Sequence, residues 1–228
     1  MAYGETAQIA VTEIRRLVDL ALIVDVKEIG AKIKEKKKSK NKGKTILAPY
    51  FSKSISAIIS PLMKLSGYNV VMLPSPVQCD VDMGLRMVNN DVCFPATVVV
   101  GQLLNALKSG QYSLKDVAVI ISQTGGQCRA SNYITLIKRS LSNAGLGEIP
   151  VLSFDMSGSM GNVQPGFSID WRKILPIAIH AVLFIDCLTQ LYRSSIVREK
   201  EKGVVKELYD CYLERVGEVI LQNRKSEI

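Results

Sequence analysis

Gln123-Thr-Gly-Gly-Gln-Cys-Arg-Ala-Ser-Asn132 decides how the rest of this chain is read. It follows an apolar run, Val117-Ala-Val-Ile-Ile121, the pattern of a strand buried on both faces. It precedes Tyr133 to Ala144, where Ile134, Ile137 and Leu141 fall at the spacing of an amphipathic helix. Gly125, Gly126 and Cys128 thus belong to a strand-to-helix turn at the carboxyl end of a parallel strand. That is where open α/β sheets bind ligands. Two glycines let the backbone approach a ligand closely. A cysteine at a helix N-terminus has its thiolate favoured by the helix dipole.

A second stretch repeats the design. Asn89-Asn-Asp-Val-Cys-Phe-Pro-Ala96 leads into an apolar helix expected over Thr97 to Leu107. Pro95 suits a first helical turn, where its missing N–H would have had no partner. Cys93 is therefore also predicted just before a helix start. Two cysteines presented in this way suggest a metal or cluster site.

Three motifs carry a resemblance: residues 89–102, Ala106-Leu-Lys-Ser-Gly110, and Ile121-Ser-Gln-Thr-Gly-Gly-Gln-Cys-Arg-Ala-Ser-Asn-Tyr133. Together they resemble the dehydratase-like, non-ATPase region of the large activators related to those of 2-hydroxyacyl-CoA dehydratases, iron–sulfur proteins of anaerobic bacteria. The likeness runs from about Thr45 to Phe167 and weakly to the C-terminus. Pro165-Gly166-Phe167 is similar to an element of that family, whereas Phe184-Ile-Asp-Cys-Leu188 departs from its expected Tyr-Gly-Asp-Leu-Leu. The resemblance implies a [4Fe–4S]-type cluster on Cys93 and Cys128. It also implies low-potential electron transfer from an ATPase activator domain or subunit toward a dehydratase-like acceptor protein. Related dehydratase subunits use three cysteines, which makes Cys79 the candidate third ligand, in a loop expected over Ser75 to Asp82. Its spacing of 14 residues from Cys93 is not a compact chelating one, so only the fold would unite them. Around the cluster loop, Gly125 and Gly126 would supply backbone hydrogen bonds. Arg129 would offset cluster charge or pair with a phosphate, unless it forms an ordinary surface ion pair. Asn132 would cap the following helix.

The family's activators also carry acidic and glycine-rich ATPase motifs, and this sequence has none. It also lacks a phosphate-binding P-loop, a dinucleotide fingerprint and a nucleophile elbow. ATP hydrolysis is therefore not assigned to it, and the chain reads as an accessory subunit or one domain of a larger protein.

Further strands are expected at Thr45 to Tyr50, Asn69 to Leu73 and Ile149 to Phe154, with helices at Ser52 to Ser66 and Asp82 to Asn89. The expected fold is α/β: an open, mostly parallel, flavodoxin- or Rossmann-like sheet with flanking helices and a helical C-terminal part. That part comprises Ile169 to Arg193, as one helix or two, and Gly203 to Asn223. The expected divisions are 1–44, an N-terminal packing helix and Lys-rich linker; 45–167, the cysteine-bearing core; and 168–228, helices packing on the core. Those helices also offer an interface, a homo-oligomer among the candidates.

The chain has 228 residues, 47% hydrophobic and 22% charged, as in globular proteins. No uninterrupted apolar run reaches the roughly 18 residues of a membrane span. Ile174 to Leu188 is broken by Pro176, His180 and Asp186. No signal peptide is evident. Five cysteines are too few for a disulfide scaffold, so a reducing cytoplasm and no membrane are expected. Lys27 to Lys44 holds nine lysines against two glutamates, +7 of the formal net +8. It reads as a solvated linker before it reads as a phosphate patch for CoA. Without interleaved aromatics it gives no support for stacking on nucleic-acid bases. Cys187 and Cys211 are expected to be buried thiols, and His180 a buried or interface histidine. Two rivals stand beside the redox reading: a cluster-free interaction module, and a CoA-ester-binding domain.

Overall fold

Four short apolar runs form one sheet. In the computed structural model, which describes residues 43–89, 91–123, 128–155, 167, 169 and 171–222, these are β1 (Thr45–Ala48), β2 (Asn69–Met72), β3 (Val117–Gln123) and β4 (Val151–Asp155). Their order is β2-β1-β3-β4 and every pair is parallel. Residues alternate between faces. Leu47, Val117, Val119 and Ile121 join one apolar cluster, while Ile46, Ala48, Ala118 and Ile120 join another. Both faces are covered, so these strands read as near-continuous apolar runs.

Six helices accompany the sheet among the described residues. α1 (Lys53–Leu65) starts at Ser52, whose Oγ accepts from the Ile55 amide at 3.2 Å. It finishes before Gly67, where φ is 82°. Pro61 lies inside α1 without ending it. α2 (Gln78–Met87) and α3 (Phe94–Lys108) connect β2 to β3, and α4 (Tyr133–Asn143) connects β3 to β4. α1 covers the face of Ile46 and Ala118 through Met63, whereas α3 and α4 cover the opposite face through Leu103, Leu107, Ile134 and Ile137. The strand order explains this. The β1-to-β2 step goes one way across the sheet and the β2-to-β3 step returns past β1. Right-handed crossovers then place their helices on opposite faces.

α2 and α3 lie backbone against backbone. A Cβ on Gly101 would fall 1.8 Å from the Asp80 carbonyl oxygen, and one on Gly84 would fall 2.0 Å from that of Thr97. α2 also begins earlier than its apolar spacing predicts. The Asp80 carboxylate, buried against α3, accepts from the Val77 amide at 2.9 Å and from Asn105 Nδ2 at 2.8 Å. These bonds fix a helical start at Gln78, so the expected loop around Cys79 is the first turn of a helix.

α5 (Trp171–Ile196) is a single helix of 26 residues despite Pro176, and α6 (Val204–Gln222) follows it. Ile174, Ala181 and Ile185 of α5 and Leu213 and Ile220 of α6 pack against Ile58 and Leu62 of α1. α1 is thereby covered by the sheet on one side and the C-terminal helices on the other. Ile174–Ile196 is long and apolar enough to cross a membrane by length and composition, with a mean hydropathy of 1.9. Counting uninterrupted apolar residues missed this, because Pro176, His180 and Asp186 do not lower the average enough. The chain divides into units 1–38 and 39–228. The expected N-terminal helix and all but Lys44 of the lysines in Lys27 to Lys44 lie outside the described residues.

Candidate functional site

Both motif cysteines stand at helix starts. Cys93 is the residue before α3, with Pro95 in that helix's first turn. Cys128 is the residue before a 3-10 turn, Arg129–Asn132, which runs directly into α4. The Ser131 amide and hydroxyl donate to the Cys128 carbonyl at 3.1 and 2.9 Å and close that turn. Tyr133, the first residue of α4, brings its Oη within 3.3 Å of Cys93 Sγ. Burial pushes the Tyr133 phenol well above the ordinary tyrosine range. The hydrogen bond to Cys93 and the negative charges of Cys93 and Cys128 push it the same way. The thiol at one helix start thus meets a phenol at the other. That phenol keeps its proton and is available to donate to sulfur.

The position relative to the sheet follows from Gln102. This buried side chain on α3 accepts from the Tyr50 amide at 2.9 Å and donates to the Pro74 carbonyl at 2.6 Å. It thus ties the segments leaving β1 and β2 to the middle of α3. Cys93 precedes Gln102 by nine residues, ~13 Å along the helix axis. Cys93 therefore projects well beyond the ends of β1 and β2. Cys128 follows β3, which continues past β1. β1 and β3 flank the point where the strand order reverses, the place where open sheets receive ligands.

The other expected site residues lie elsewhere. Cys79 is exposed on the first turn of α2, and its carbonyl accepts from Asn105 Nδ2 at 3.0 Å. Asn105 is twelve residues beyond Cys93 on α3, ~18 Å along the axis. Cys79 is therefore not brought beside Cys93. Asn132 occupies the position before α4 but its side chain makes no capping bond. Gly125, Gly126, the Arg129 side chain, and Pro165 and Gly166 lie outside the described residues. Phe167 packs on Tyr68 with ring centroids 4.8 Å apart. Cys187 and Cys211, expected to be buried, are exposed. Among the described residues no group of three or more His, Cys, Asp or Glu is arranged to hold a metal ion. The residues that organise the site beyond the cysteines are Tyr133 and Gln102. Gln102 had a signal, a polar residue on the apolar face of α3. Nothing in the spacing pairs Tyr133 with Cys93. No family model, curated protein or solved structure matches the chain.

Proposed function

We propose that this chain is the redox component of an ATP-coupled activator or reductase related to 2-hydroxyacyl-CoA dehydratase systems, holding a [4Fe–4S]-type cluster through Cys93 and Cys128. The observation that carries the reading is that Cys93 and Cys128 both stand at helix starts, with Cys93 Sγ against Tyr133, the first residue of the helix that follows the Cys128 turn. The motif resemblance supports it, and the strand order β2-β1-β3-β4 supports a flavodoxin-like reading of the sheet. Two thiols suit two of the four ligands such a cluster usually takes. The rest would come from another chain or a non-cysteine ligand. Cys79 as third ligand would require α2 to leave Gly101 and Asn105, so the proposal rests on Cys93 and Cys128.

Such a cluster, when bound, supplies a one-electron carrier. The chain's own residues set its surroundings. With Cys93 as a ligating thiolate, the Tyr133 O–H 3.3 Å away would donate to its Sγ, and hydrogen bonds to ligating sulfur tune the potential. The positive end of the α3 dipole favours negative charge there. Phe94, exposed beside Cys93, offers an apolar contact to a docking protein. The proposed partners are an ATPase activator domain or subunit as donor and a dehydratase-like acceptor in the cytoplasm.

A second reading, a cluster-free interaction module, is favoured by the exposed apolar residues of α5 and α6. Iron and acid-labile sulfide per chain after anaerobic purification or reconstitution separate the two. The redox reading expects about four of each, lost in Cys93→Ser/Cys128→Ser. Iron near zero in the wild type, or unchanged in the double variant, sinks it.

A further inference from the structure

We draw no further inference here: the strongest candidate, the exposed apolar face of α5 between Leu175 and Leu191, carries none, because nothing in the structure shows what covers it.

Discussion

Tyr133 is where the two cysteine motifs meet. Its phenol is held above its ordinary range by burial and by the hydrogen bond to Cys93. The folded chain therefore binds that proton more tightly than the unfolded one. The stabilisation is present below about pH 10 and is lost as pH rises through the raised value. An alkaline ultraviolet titration should show one tyrosine ionising later than the rest, and Tyr133→Phe should remove that late step. The same substitution should cost only about 1 kcal/mol in denaturant unfolding, the worth of one partly exposed hydrogen bond. It should also change the alkylation rate of Cys93 and leave that of Cys79 untouched. Equal rates at Cys93 in both proteins would show that the 3.3 Å contact has no chemical weight.

Helix contacts decide how far the cysteine set extends. Gly84 and Gly101 let α2 press its backbone onto α3. Gly101→Ala would force the two apart, because the obstacle is a carbonyl rather than a flexible side chain. The expected loss is at least about 2 kcal/mol of stability. Unfolding at the wild-type midpoint would contradict the close packing. That packing also shows what the sequence could tell. The strands, α1, α3, α4 and the helix starts at Cys93 and Cys128 were legible, because apolar periodicity and turn residues are local signals. The start of α2 was not. It depends on Asp80 bonding to Asn105 across the hairpin, a contact that local pattern does not encode. The exposure of Cys187 and Cys211 was misread for a related reason. An apolar neighbourhood in sequence looks the same whether a helix face meets a core or faces outward. Tyr133 was in plain view as a motif residue, but its pairing with Cys93, 40 positions earlier, needed the fold.

Across the whole molecule, α1 is the middle layer between the sheet and the C-terminal helices. Its apolar residues should dominate stability over its charges. Ile58→Ala should cost about 2–5 kcal/mol, since the side chain is buried among Ile185, Leu213 and Ile220. The Lys53–Asp210 ion pair joins the same layers at the surface. The Lys53 hydrogen bond holds the Asp210 carboxyl below its ordinary range. Its contribution is thus present at neutral pH and lost as pH falls through the lowered value. Solvent screening keeps it under about 1 kcal/mol, so Lys53→Ala should barely move the unfolding midpoint. A larger shift for Lys53→Ala than for Ile58→Ala would reverse this ranking. The strand order has a consequence in time as well. Thr45 pairs with both Asn69 and Val117. A ribosome delivers β1, α1 and β2 well before β3 emerges. Until then, one edge of β1 has no neighbour, and Leu47 lacks the cover of α4, which is made later still. The nascent chain therefore carries an open, apolar strand edge through much of its synthesis. Pairing that waits on such distant segments is slow and exposes the chain to aggregation.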